Sequence, residues 1–459
     1  MVDRLIVVSV DSHAQAPPEA WPRYLERRYH DFLPALREDN DVYTTVMGTM
    51  SYPLSWSPEA LAIYDTEGAQ AAGGFQGIWD ADVRLREMDR EGIAGEFVYF
   101  GDHRASAMFY NVFNRRYDND VCEAGVRAYH RWLYDTFGHA QDRLFLVGAG
   151  GPGIDIDATV AELTWVADHG FHGTYPPGFL SYPGVLPLFD EYWEPVWTLC
   201  EERGLPLFVH AGFGQEQGHF FPQIAKIKAE IDAAGSTTEE LVARVRREVL
   251  TGDFFADVTP RRPMWQLMFG GIFDRHPGLK LVMTEVRADW IPATLRYLDE
   301  VYLRHRADLP AKHMPSEYWH TNCLVSVSFP HRVEIAMRYE MGLETIAFGR
   351  DYPHNESTWP NTKAWLRDAF GAVPQNELRL MLGENAVRVL GLDRDRLATV
   401  ANQIGPTVEE LRGGSAVDPQ LIAHFDLRGG YLKPAEGDTK IPLIVPTVDD
   451  DIAALAAMY

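Results

Sequence analysis

The chain has 459 residues, 46% of them hydrophobic, which is enough to bury one elaborated domain or two ordinary ones. Its 66 acidic against 42 basic side chains leave a formal charge of -24, a surface that repels phosphate backbones and anionic lipid and so excludes nucleic acid and membrane from the expected partners. Cys122, Cys200 and Cys323 lack the spacing of a disulfide framework or a zinc knuckle and read as small core residues.

From Met1 the chain runs straight into a β-rich apolar segment, residues 5–10, with no basic leader or cleavage site. No later window holds 18 uncharged apolar residues, so the expectation is a cytoplasmic protein without a membrane-spanning helix. Similar apolar runs follow at 95–100, 144–147, 173–175, 206–209, 280–284, 323–327 and 345–348. Between most of them lie segments of helical periodicity, at 82–91, 117–137, 156–169, 189–203, 263–275, 290–304 and 332–340. Eight strands separated by helices predict an α/β fold, a closed (β/α)8 TIM barrel; the run at 173–175 is so short that a seven-strand count stays open.

Two stretches exceed what a minimal barrel needs. Residues 14–78 follow the first strand and are rich in proline, glycine and aromatics, and residues 211–258 follow the fifth and read as a charged helical excursion. Both leave from the rim where barrels keep their chemistry, so they are expected to cover the mouth and line the substrate pocket. The barrel unit is expected to span 1–395, insertions included. An extension over 396–459 begins near a Gly405-Pro406 break and is expected to pack on the barrel or on a neighbouring subunit of a homo-oligomer.

The residues directly after each strand point into the mouth and decide the chemistry. Strand one runs into Asp11-Ser12-His13, strand two into Asp102-His103, strand five into His210, strand six into Glu285, and strand eight into Asp351 with His354 close behind. Each has a plain alternative: Asp11 and His13 as a turn, His210 as a core histidine, Glu285 as a helix cap, Asp351 as the start of a turn with Tyr352 and Pro353. Arrival at one rim from separate strands instead predicts a site for a divalent cation, because a cluster of acids alone would repel itself and stay partly protonated. The expected metal ligands are Asp11, His13, His103, His210, Glu285 and Asp351, with Glu285 helping to hold a second ion. The expected catalytic groups are Asp351, His354 and Glu285. One or two ions of zinc, manganese or iron suit this set, acting on a small-molecule substrate whose carboxylate Arg104 or Arg287 would bind.

These motifs resemble the amidohydrolase-related branch of the amidohydrolase superfamily, which includes the decarboxylases of aminocarboxymuconate semialdehyde and of hydroxybenzoates. The resemblance is carried by residues 8–13, 79–92, 206–210, 276–290, 348–360 and 383–386, and it covers residues 5 to 395. The Asp-Tyr-Pro-His motif at 351–354 and the Thr-Glu-x-x-x-Asp-Trp motif at 284–290 are its most specific parts. It implies hydrolysis or decarboxylation of a small, apolar or ring-bearing organic acid with metal-activated water. Four positions depart from the family pattern: Asp11 and Glu285 where many members carry histidine, Ala16 where close relatives carry glutamate, and no lysine after strand four, at 173–178. Carboxylates mixed with imidazoles also suit nonheme iron, and this superfamily's fold has been recruited for a diiron monooxygenase. The alternative expectation is therefore a monooxygenase with two irons that hydroxylates an apolar acid.

Overall fold

The computed structural model of the protein describes residues 4–51, 55–101, 117–178, 184–214, 220–235, 237, 240, 244, 258–327, 330–354, 357–413, 416–428 and 440–458. Its strands are Val8–Ser9 (β1), His13–Ala14 (β2), Gly95–Phe100 (β3), Leu144–Gly148 (β4), Gly173–Thr174 (β5), Leu207–His210 (β6), Leu281–Thr284 (β7), Cys323–Val327 (β8) and Ile346–Phe348 (β9). They form one parallel sheet in the order β1-β9-β8-β7-β6-β5-β4-β3-β2, and β1 also pairs with β3, which closes it. β1 and β2 are two parts of the first barrel strand, so this is the expected (β/α)8 barrel, and the short fourth run is a true strand, β5. Every strand residue is buried, as a sheet covered on both faces requires.

The first strand is not the continuous run its apolar pattern predicts. Ser9 pairs with Glu96 and His13 with Tyr99, so four steps along one strand oppose three along the other. The extra residue is a bulge over Val10-Asp11-Ser12, and bulges beside active sites re-aim side chains. Here the bulge lets Asp11 and His13 serve the same centre. The Ser9 hydroxyl donates to the Asp11 carbonyl at 2.8 Å, and the Asp351 amide donates to that carbonyl at 3.0 Å, tying the bulge to the end of β9.

Several helices differ from their sequence-based bounds. The single helix expected at 263–275 is Arg262–Phe269 followed by Ile272–Arg275, broken where Gly271 takes a left-handed φ of 64°. The one expected at 332–340 is likewise two short helices, Arg332–Ala336 and Arg338–Met341. Residues 14–78, for which the sequence reading places no helix, contain the helices Trp21–Tyr24, Leu33–Ser51 and Pro58–Tyr64. The end of this segment packs on the loop after β9: Tyr352 Oη donates to the Gly74 carbonyl, and a Cβ on Gly77 would collide with the Tyr352 hydroxyl. Half of residues 211–258 lie outside the described residues, and the described half includes the helix Phe220–Ala233.

No described helix is long and apolar enough to cross a membrane. The C-terminal helix Ile441–Met458 buries Ile444, Val448, Ile452 and Leu455 on one face and packs against the helix Arg262–Phe269. Asp451, 2% exposed, accepts from Arg262 Nη2 at 2.8 Å, Trp265 Nε1 at 2.8 Å and Gln266 Nε2 at 3.1 Å. Replacing it strands buried donors, so Asp451→Ala should lower stability by about 2–4 kcal/mol in urea unfolding. A change below about 0.5 kcal/mol would mean that the helix is not fastened at this point.

Candidate metal centre

The first barrel strand, β6, β7 and β9 each deliver one or two of the predicted side chains to the mouth. His13 stands at the start of β2, His210 at the end of β6 and Glu285 directly after β7, whose Thr284 is the register partner of His210. Asp351 follows β9 by three residues, and the His354 amide donates to its carbonyl at 2.9 Å, closing a turn. Glu285 and Asp351 have left-handed φ values of 51° and 54°, the only non-glycine residues in that region among those described. Such a conformation costs about 1–3 kcal/mol per residue and persists where the surroundings enforce it.

The side chains converge. His13 Nε2 lies 3.5 Å from Asp11 Oδ1 and 3.2 Å from Asp351 Oδ1. His210 Nε2 lies 3.6 Å from Asp11 Oδ1 and 2.9 Å from Glu285 Oε2, and His354 Nδ1 lies 2.9 Å from Asp351 Oδ1. The His354 ring stacks on His13 with centroids 3.9 Å apart. All six residues are buried, none more than 9% exposed. Two overlapping groups have ligand atoms within 4.8 Å of one another: Asp11, His13 and His210, and His13, Glu285, Asp351 and His354.

The outer ring nitrogens fix the tautomers. His13 Nδ1 sits 2.9 Å from the Phe100 carbonyl and His210 Nδ1 sits 3.1 Å from the Ala211 carbonyl. A carbonyl oxygen only accepts, so each Nδ1 carries the proton and each Nε2 turns a lone pair toward the carboxylates. Lone pairs and carboxylates crowded into one buried volume repel unless a cation stands among them, so the donor set fits a divalent metal ion. Without one, burial lowers the His210 pKa, but the Glu285 and Asp11 carboxylates outweigh it and hold the imidazole well above its ordinary value. A proton there does part of a cation's work.

Beneath the centre Tyr99, Phe208 and Phe97 fill the barrel, with Tyr99 5.9 Å from the His210 ring and 5.5 Å from Phe208. Behind it lies a buried charge network. Arg350, next to Asp351, donates from Nε and Nη2 to both oxygens of Glu96 at 2.8 Å, and all three of Arg350, Glu96 and Arg84 are 0% exposed. Arg84 Nη1 donates to Ser12 Oγ at 2.8 Å and its Nη2 donates to the His13 carbonyl. The Tyr352 ring lies against both guanidinium groups, at 4.9 and 4.6 Å. Strand-end reasoning does not single out this network, although a lone glutamate in the apolar run 95–100 signals a buried partner.

His103, with Asp102 and Arg104, lies outside the described residues. Arg287, expected to meet a substrate carboxylate, pairs with Asp289, with Nη2 donating to Oδ2 at 2.6 Å. Glu285 is not a helix cap; the buried acid that serves this loop is Glu334, which accepts from the Ala288 amide at 2.7 Å and whose burial pushes its pKa up to about 7. A separate cavity of about 270 Å³, between Leu188, Phe213, Trp265 and Ile444, contains none of the six residues of the centre.

A closed parallel barrel with carboxylates and imidazoles gathered at the C-terminal ends of its strands defines a metal-dependent barrel enzyme. The family description "Amidohydrolase" matches residues 10–392. Over 254 residues the chain is 31% identical to gamma-resorcylate decarboxylase of Rhodococcus jostii (strain RHA1), covering 52% of this chain and 68% of the relative. The chain belongs to the amidohydrolase family, and this membership makes it an enzyme of the metal-dependent hydrolase and lyase class. Two solved structures share the fold at 18% identity. One is an amidohydrolase from Mycobacterium avium subsp. paratuberculosis K-10, with a TM-score of 0.60 over 84% of this chain and 99% of the other. The second is 5-carboxyvanillate decarboxylase of Novosphingobium aromaticivorans, complexed with manganese and 4-hydroxy-3-methoxy-5-nitrobenzoic acid, with a TM-score of 0.56 over 84% of this chain and 96% of the other.

Glu96→Gln removes the one carboxylate that Arg350 and Arg84 share and leaves two buried guanidinium groups sharing a neutral amide. It should cost about 3–5 kcal/mol in denaturant unfolding, against less than about 1 kcal/mol for Glu384→Gln, whose pair with Arg394 is exposed. Equal costs would show that the Arg350–Glu96 pair does not support the site.

Proposed function

We propose that the chain is a decarboxylase of an aromatic carboxylic acid, with one divalent ion, manganese, held by Asp11, His13, His210 and Asp351. The convergence of these four side chains from three parts of the barrel rim carries the reading, and the named activities of the decarboxylase relatives supply the reaction and the ring-bearing substrate. The ion count follows from His13. Its Nδ1 is committed to the Phe100 carbonyl, leaving one nitrogen for a metal, so the two overlapping groups that share His13 are two views of one centre. Glu285, which the sequence suggested as a ligand of a second ion, is assigned to proton transfer.

The bound ion would supply Lewis-acid polarisation of the substrate carboxylate and an oxygen beside it. The chain's own part is positional. Asp11, His13, His210 and Asp351 fix the acid above the aromatic floor of Tyr99 and Phe208, and Glu285, 2.9 Å from His210 Nε2, carries the proton. The bond from ring carbon to carboxyl breaks to release carbon dioxide, and the ring carbon takes the proton from Glu285. His354, its Nδ1 2.9 Å from Asp351 Oδ1 and its ring stacked on His13, keeps both in place. A diiron monooxygenase is the competing reading, and none of the relatives compared supports it.

The test is metal content together with gas release. Protein loaded with manganese should hold about one ion per chain and release carbon dioxide from a dihydroxybenzoate; His13→Ala should lose the ion. Glu285→Gln should keep the ion while the rate falls by about 10²–10⁴-fold. Two irons per chain with oxygen consumption would overturn the proposal, and loss of the ion in Glu285→Gln would return Glu285 to the ligand set.

A further inference from the structure

Gln15 is 0% exposed and lies two residues beyond His13. Strand alternation puts His13 and Gln15 on the inner face of the barrel beyond the bulge, with Ala14 turned outward, where its carbonyl accepts from Tyr129 Oη at 3.3 Å. Gln15 therefore stands one pleat, about 7 Å, outward from His13 toward the mouth. Its Oε1 accepts from the Gly101 amide at 3.4 Å, which assigns the amide orientation and leaves Nε2 as the other arm. Among the described residues Nε2 has no hydrogen-bond partner.

Among the described residues the neighbouring strand leaves the space beside Gln15 open. Phe97, Tyr99 and Gly101 alternate onto the inner face of β3 and its continuation, and at the level of Gln15 the residue is glycine, with a φ of 105°. A Cβ built on Gly101 meets only His13 Nδ1 within 4 Å, at 3.5 Å, among the described atoms. A buried amide donor without an acceptor is costly, by about 1–3 kcal/mol, and such a group is retained where a ligand completes it.

We infer that Gln15 is a specificity-determining residue: its Nε2 donates to an oxygen acceptor at the end of the substrate ring opposite the carboxylate held at the metal centre. The inference rests on the ring-acid reading of the site. One strand pleat matches the span from a ring carboxylate to an oxygen in the para position, so the ligand class is a para-oxygenated aromatic acid. The donor tells such acids from unsubstituted ones because an acid without the acceptor leaves the amide unpaired.

The experiment compares benzoate with 4-methoxybenzoate, whose para oxygen can only accept, by calorimetric titration of manganese-loaded protein. Wild type should bind the methoxy acid more tightly. Gln15→Leu and Gln15→Glu, the second of which keeps the acceptor for the Gly101 amide, should each raise the Kd of 4-methoxybenzoate about tenfold and leave that of benzoate within about twofold. Manganese content should be unchanged, and the Tm of the ligand-free Leu variant should not fall, since little bonding is lost. Equal weakening for both acids, no change for either, or a fall in Tm with loss of metal would each overturn the assignment and leave Gln15 structural. If wild type loads manganese yet binds neither acid, the ring-acid reading itself fails; if both acids bind wild type and variants alike, only the role of Gln15 fails.

Discussion

Asp11, Glu285 and Asp351 place three carboxylates against the lone-pair nitrogens of His13 and His210 in a volume closed to solvent, and such a cluster is stable only with a cation or added protons. Much of the surrounding architecture serves to hold that arrangement. The bulge at Val10-Asp11-Ser12 turns two residues of one strand to the same point, and the left-handed backbone at Glu285 and Asp351 does the same at the ends of two others. Each of these departures costs conformational energy, and each occurs at a residue of the centre.

A second electrostatic layer stands behind the first. Arg84 and Arg350 share Glu96, giving a net positive charge one residue away from Asp351 and in contact with the carbonyl of His13. Its field favours the anionic form of the acids in front of it, which is the form that binds a metal. The guanidinium groups are held by Glu96 and by the Tyr352 ring, so they brace the centre without entering it. The arrangement has the logic of outer-sphere support, in which partners of the ligands set their orientation and charge.

The barrel was legible in the sequence because parallel strands buried on both faces read as continuous apolar runs, a signal weakest at β5, whose two residues are Gly173 and Thr174. His13, His210, Glu285, Asp351 and His354 were legible from their places just beyond the ends of apolar runs, and Asp11 from its place before His13. The bulge was not, because a pairing register depends on the neighbouring strand. The helices within 14–78 were missed although Ser57 followed by Pro58 is a helix start, with the Ser57 side chain accepting from the Ala60 amide at 3.1 Å. Proline there marks a beginning, and the abundance of proline and aromatics suggested irregular chain instead. Gln15 and Glu96 escaped because their meaning lies in the groups they face across the barrel.

The central claim is that one ion binds among Asp11, His13, His210 and Asp351. Anomalous X-ray scattering from crystals of manganese-loaded protein, collected on either side of the manganese absorption edge, tests it directly. The account predicts a single strong difference peak per chain within about 2–2.5 Å of His13 Nε2, His210 Nε2 and carboxylate oxygens of Asp11 and Asp351. A peak elsewhere, no peak, or a pair of peaks bridged by Glu285 would contradict it.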